Sequence, residues 1–152
     1  MNLSTIYSQL STSSLVDCAD LENTVVRSKK IRIYPKNKHL ARIYLGLSRW
    51  WYNHTINYLN QLDTKASLYE VRKVVQKGDD IPEWAMDCPQ RIREHAMSDA
   101  CEAVKNAKVK CKKTGQFQKV SFRAKRDPIQ SFGFDKVSIN QDFVFGSKKY
   151  KL

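Results

Sequence analysis

From Leu40 to Leu59, the residues Leu40, Ile43, Tyr44, Leu47, Trp51, Thr55, Tyr58 and Leu59 recur at three- and four-residue steps. That spacing predicts one stripe of a helix of about six turns, and a two-residue strand period does not reproduce it. Trp50, Trp51 and Tyr52 widen one end of the stripe. Asn37 stands where a cap is needed, because its side chain can accept a hydrogen bond from the first turn. Gly46 either allows close approach of another element or weakens the helix.

The flanking segments follow the same logic. Val25 to Tyr34 alternates Lys29, Lys30 and Arg32 with Ile31 and Ile33, which fits a half-buried strand ended by Pro35. Thr64 to Lys77 predicts a second helix with Leu68, Val71, Val74 and Val75 on its apolar face. Gly78-Asp79-Asp80 and Pro82 close it, and Trp84 and Met86 are expected to plug the connection. Pro89 suits the first position of a third helix lined by Ile92, Ala96, Ala100, Ala103, Val104 and Ala107. The small residues on that face favour tight helix packing. After Gly115 the period changes. Phe117–Phe122, Ser131–Phe134 and Val137–Ile139 read as extended, Arg123–Asp127 as a charged turn, and Phe143–Phe145 as one arm of a hairpin. The order is strand, three helices, strands. Because a lone strand must pair, the expectation is an α+β fold with the first strand joined to the last ones and the helices inserted between.

A chain of 152 residues suggests one domain. Its formal net charge of +12 is unevenly spread. Met1–Ser28 carries Asp17, Asp20 and Glu22 against Arg27, whereas Val104 to Arg126 holds nine Lys or Arg and no Asp or Glu. Such a run points to a polyanionic partner. The cysteines at 18, 88, 101 and 111 have no metal-type spacing, so four reduced thiols in a cytosolic, cytoplasmic chain are expected. No apolar run reaches the roughly 20 residues of a membrane span, and Met1–Asn23 lacks the pattern of a signal peptide. No membrane partner is expected, and the Ser/Thr-rich leader reads as a flexible tail.

Lys105, Lys108, Lys112, Lys113, Lys119, Arg123, Lys125 and Arg126 would neutralise backbone phosphates, giving salt-dependent and largely sequence-blind affinity. The bland alternative is a solvated helix face. Lys29, Lys30 and Arg32 would add a second basic patch, or simply protect a strand edge. Arg49, Trp50 and Asn53 combine groups that stack on bases or read base edges, although Trp51 belongs to the apolar stripe and Asn53 is equally suited to pinning a loop. Arg91 and Arg93 open the third helix, whose start favours anions. Phe117, Phe122, Phe132, Phe134, Phe143 and Phe145 could serve as stacking platforms, but most are expected in core or cross-strand packing.

Chemistry is harder to find. His39, His54 and His95 are dispersed, Asp79, Asp80 and Glu83 sit in a turn, and Glu94, Asp99 and Glu102 suit a helix surface. A metal-dependent nuclease needs acids held on rigid elements around cations. No phosphate-cradling glycine loop is present. The expectation is no catalytic residue, no metal and no cofactor.

A series of short segments carries a family resemblance: Lys30-Ile31-Arg32-Ile33-Tyr34-Pro35, Arg49-Trp50-Trp51-Tyr52-Asn53, Ile81-Pro82-Glu83-Trp84, and Cys88-Pro89-Gln90 leading to Ala96 and Ala103. Ser121-Phe122-Arg123-Ala124-Lys125 and Gln130-Ser131-Phe132-Gly133-Phe134 complete it. In order and spacing, Val25–Leu152 resembles the N-terminal region of the TnpB/OrfB family, the insertion-sequence-encoded RNA-guided nucleases related to compact type V CRISPR effectors. The resemblance implies a partial wedge-type β-barrel with an inserted three-helix recognition lobe. It divides the chain into a leader (1–24), a first barrel strand (25–36), a helical lobe (37–113) and C-terminal barrel strands (114–152). It also implies binding of guide RNA and target DNA, with base pairing reading sequence while protein reads shape and flanking bases. The family's acidic catalytic residues and zinc ribbon correspond to nothing in this chain.

The functional expectation is therefore a non-catalytic nucleic-acid-binding fragment, linked through its family to transposase activity, transposition and DNA recombination. Its partners would be guide-type structured RNA and DNA, with a nuclease half in trans or self-association through open strand edges also in view. The alternatives are a small DNA-binding regulator acting by occupancy, half of a split nuclease, and a purely structural protein.

Overall fold

The computed structural model describes residues 34, 37–61, 63–78 and 80–135. Four helices follow one another: α1 (Lys38–Leu59), α2 (Leu68–Val75), the single turn α3 (Glu83–Met86) and α4 (Gln90–Thr114). The two long helices form the main packing, α2 lies against both, and α3 packs on α1.

Of the stripe read from the sequence, Tyr44, Leu47, Trp51, Thr55 and Leu59 are buried in α1, Leu40 and Tyr58 are partly buried and Ile43 is exposed, while Ser48, Tyr52 and Ile56 join the buried face. Asn37 caps the helix, its Oδ1 accepting from the Leu40 N–H at 2.9 Å. Facing it, α4 buries Ile92, Ala96, Met97, Ala100, Cys101 and Val104. Ala96 and Ala100 make room for bulky rings, so Trp51 can be fully enclosed. Its indole N–H donates to the Ala85 carbonyl at 3.0 Å, which holds α3 down and satisfies a buried donor. Thr55 is also enclosed, its hydroxyl donating to the Trp51 carbonyl at 2.8 Å one turn earlier.

Several boundaries differ from expectation. The second helix spans only Leu68–Val75, because the Thr64 hydroxyl is engaged with the Leu59 and Gln61 carbonyls at the end of α1. In α2, Val71 and Val75 are buried while Val74 is exposed, since eight residues offer only a narrow inner face. Trp84 and Met86 do not plug the connection: both are about half exposed, and Ala85 between them is the residue that enters the core. Gly115 ends α4 in the left-handed region at φ 68°, its N–H donating to the Cys111 carbonyl at 2.8 Å.

The α+β expectation is overturned. Helices make up 60% of the described residues, and there is no strand, sheet or barrel among them. Two expected strands fall within the described region, and neither is a strand there. In the Phe117–Phe122 segment, Phe117 and Phe122 point to solvent. Just beyond it the Arg123 backbone meets Asn53 of α1, which accepts from the Arg123 N–H at 2.8 Å and donates to the Arg123 carbonyl at 2.9 Å. A side-chain amide thus occupies both groups that a neighbouring strand would need. The Ser131–Phe134 segment packs on helices through Phe132, whose ring meets Tyr44 edge-on at 6.0 Å. The remaining strand expectations, at 25–33, 137–139 and 143–145, lie outside the described residues, as does the 1–24 leader.

Segment 123–135 forms a strap across the two long helices. Arg123, Gln130 and Phe132 meet Asn53, Arg49 and Tyr44 of α1 in descending order. Arg123, Gly133 and Asp135 meet Asp99, His95 and Arg91 of α4, again in descending order. The strap therefore runs antiparallel to both helices. Its turn at 124–127 is internally closed: the Asp127 carboxylate accepts from the Ala124 N–H at 2.6 Å, and Gln130 Nε2 donates to the Ala124 and Asp127 carbonyls at 2.9 and 3.0 Å. Gly133 makes a close approach here: a Cβ there would sit 3.1 Å from the His95 ring, which would have to give by a few tenths of an ångström.

Candidate nucleic-acid interface

The structure divides the candidate residues into three groups. The first makes contacts within the fold, most of them to the strap. Arg49 donates to the Gln130 side chain at 2.9 Å, and Asn53 grips the Arg123 backbone. Arg91 pairs with Glu94 at 3.2 Å and with Asp135 at 3.5 Å. Arg123 pairs with Asp99 at 3.1 Å, and its guanidinium lies 3.9 Å from the Tyr52 ring centroid. Arg93 is half-buried, 5.2 Å from the Trp51 ring, with one nitrogen 3.5 Å from Met86 Sδ. Arg49, Asn53, Arg91 and Arg123 are thus engaged with partners up to 81 residues away in sequence, whereas the buried Nε of Arg93 has no hydrogen-bond partner. Of the two roles open for Asn53, the pin is the one its geometry fills.

Trp50 is also engaged. Its ring stacks on His54 at 4.7 Å and 11°, and meets Trp51 and Trp84 edge-on. The outer edge of this cluster is Trp84, with Asp80 3.9 Å from His54 beside it. This corner is more acidic than the rest of the chain: Asp80, Glu83 and Asp87 are all exposed. Glu83 and Asp87 flank Trp84 in sequence.

The second group is exposed and carries no ion pair among the described residues: Lys105, Lys108, Lys112, Lys113, Lys119, Lys125 and Arg126. The last buried residue of α4 is Val104, so its final turns extend past the core. Lys105, Lys108 and Lys112 fall at i, i+3 and i+7, which aligns them on one face over roughly 10 Å. Lys112 and Lys113 in the last turn also face the negative end of the helix dipole, a contribution to helix stability that operates whether or not a ligand binds. Lys119, Lys125 and Arg126 continue the positive surface onto the loop and the strap turn. The third group, Lys29, Lys30 and Arg32, lies outside the described residues.

Two features were not evident from the sequence. Gln130 is the junction of the strap, bonding both Arg49 and the turn carbonyls, and only distant partners reveal it. Phe117 and Phe122 are exposed, not core, although their placement among lysines just after a glycine cap is a signal that could have suggested it.

Nucleophilic chemistry is not favoured at the described thiols. Cys88 and Cys101 are buried and Cys111 half-buried, and none is in a disulfide. Burial pushes the Cys88 thiol up to about 12 against a partial opposing effect of Arg93. Burial also raises Cys101, with Lys105 opposing. Thiols held protonated are poor nucleophiles and poor metal ligands. Among the described residues no cluster of three or more His, Cys, Asp or Glu could hold a metal ion, and no helix is long and apolar enough to cross a membrane. Comparison with protein-family models, with curated proteins and with solved structures finds no match to this chain.

Proposed function

We propose that this chain is a nucleic-acid-binding module of the kind used by transposon-associated RNA-guided nucleases, contributing binding of guide-type structured RNA and DNA rather than a catalytic step. The observation that carries the reading is the surface of eight exposed cations from Lys105 to Arg126, Lys110 included, with no acid paired to any of them among the described residues. Such a surface attracts phosphates through counterion release, without reading sequence. The TnpB/OrfB resemblance supplies the biological setting of transposition and DNA recombination. Its segments Arg49–Asn53, Ile81–Trp84 and Ser121–Lys125 serve here to build the helical body and fasten the strap, leaving contact with nucleic acid to the lysines. The same reading places the chain in the cytoplasm, where its cysteines stay reduced.

The test is binding of the purified chain to a structured RNA, a DNA duplex and a DNA single strand across a salt series. Affinity is expected to be highest for RNA and to fall log-linearly with salt. The triple variant Lys108→Glu, Lys112→Glu, Arg126→Glu should weaken all three and flatten the salt dependence by about 2 to 3 in slope. Unchanged affinity in a folded triple variant would sink the reading. Binding to a duplex alone would instead identify a regulator acting by occupancy, and divalent-metal-dependent cleavage on adding a second polypeptide would identify half of a split nuclease.

A further inference from the structure

Phe117 is 85% exposed and Phe122 55% exposed, although burial is the ordinary fate of a phenylalanine. The segment carrying them is tethered at three places. Gly115 fixes its start through the bond to Cys111, Val120 packs against the core in its middle, and Asn53 holds its end at Arg123. Between the tethers, Gln118 and Val120 turn inward while Phe117, Lys119 and Ser121 turn outward. The alternation then slips, so Phe122 is also exposed just before the Asn53 grip. The two rings are thus displayed on a segment held from behind, unlike Phe132, which packs on Tyr44.

The chemistry around them is one-sided. Lys112, Lys113, Lys119, Lys125 and Arg126 surround the rings in sequence, all exposed, and no acid occurs between Val104 and Arg126. Exposed π-faces interleaved with cations suit unpaired nucleotides, whose bases stack on rings while their phosphates meet lysines. A duplex offers no free base face to such rings. A second copy of this chain would bring one uncompensated basic run against another, so like-charge repulsion disfavours it.

We propose that Phe117 and Phe122 are stacking platforms for unpaired bases, so that this part of the basic surface takes single-stranded nucleic acid, including the loops of a folded RNA. The proposal rests on the reading that the basic run binds nucleic acid, and it specifies which form.

The experiment measures fluorescence anisotropy of labelled 15-nucleotide oligo-dT, oligo-U and a blunt DNA duplex against wild type and four variants: Phe117→Leu, Phe122→Leu, the Phe117→Trp/Phe122→Trp double, and the lysine–arginine triple variant above. Both rings are exposed, so the leucine variants should keep the wild-type circular dichroism and melting temperature. Each leucine substitution is expected to weaken single-strand binding by about five-fold or more and to leave duplex binding unchanged. The tryptophan pair should restore affinity, with its fluorescence quenched on binding. Comparison of oligo-dT with oligo-U separates a DNA from an RNA preference. Leucine variants that bind single strands like wild type overturn the proposal, while loss of affinity in the triple variant would still sustain the broader reading. Equal loss on strand and duplex also overturns it. Failure of wild type to bind any probe overturns both. Loss of self-association, or of binding to phosphatidylserine vesicles, without any change on oligonucleotides assigns the rings to another partner and overturns the proposal.

Discussion

Asn53→Ala isolates the contact that replaces strand pairing in this fold. Asn53 makes two hydrogen bonds, at 2.8 and 2.9 Å, to the N–H and carbonyl of Arg123, a residue 70 positions away. Each bond contributes about 1 kcal/mol net, so their loss costs about 2 kcal/mol. Because the site is part-buried, water can reach the freed groups and keeps the loss near that figure. In a domain of this size, that corresponds to a fall in melting temperature of about 4–8 °C. Arg123→Ala is a useful contrast. It removes the ion pair with Asp99 and the cation over Tyr52 but leaves the backbone grip intact, so its cost should be smaller, about 1 kcal/mol. Thermal and urea unfolding give the stabilities, and hydrogen exchange at the Arg123 amide reports the grip directly: protected in wild type and in Arg123→Ala, fast in Asn53→Ala. A melting temperature within about 1 °C of wild type, with the Arg123 amide still protected, would refute the reasoning. A loss of nucleic-acid affinity without loss of stability would return Asn53 to the role of a base-reading residue.

Other expectations follow from single contacts. Trp51→Phe loses the hydrogen bond to Ala85 and leaves that carbonyl short of a buried donor, so urea unfolding should register about 1–3 kcal/mol, and Trp51→Ala about 3–5 kcal/mol. Gly133→Ala places a methyl 3.1 Å from the His95 ring, so stability should fall in the single variant and largely recover in the Gly133→Ala/His95→Ala double, checked by thermal melts. The raised Cys88 thiol gives a pH dependence of definite sign. The folded state holds its proton more tightly than the unfolded chain, so its contribution is complete below about pH 9 and is lost as pH rises toward about 12. Denaturation midpoints should fall over that window, and Cys88→Ala should reduce the slope. In native protein, a thiol reagent should modify Cys111 before Cys88 and Cys101, which react only on unfolding.

The sequence by itself determined the two long helices, though not the short extent of α2 or the single turn α3. A 3.6-residue stripe from Leu40 to Leu59, a capping asparagine before it, an alanine-rich face in Ile92–Ala107 and a glycine after Thr114 are local signals, and each acts within a few residues of where it is written. The charge of Lys105–Arg126 was equally open to view, because charge needs no partner to exist. Tertiary structure decided what the extended segments pair with. Alternation in Phe117–Phe122 and Ser131–Phe134 states only that one side faces inward; it does not say whether a strand or a helix lies there. Asn53, Arg49, Tyr44 and His95 settle it in favour of α1 and α4 by meeting residues about 40 to 90 positions away. The same distant contacts engage Arg49, Asn53, Arg91 and Arg123 within the fold, while the lysines from Lys105 to Lys125 stay exposed and without an ion pair among the described residues. A side chain's chemistry is written at its own position, but whether that chemistry is spent inside the fold or kept for a ligand depends on neighbours that only folding brings near.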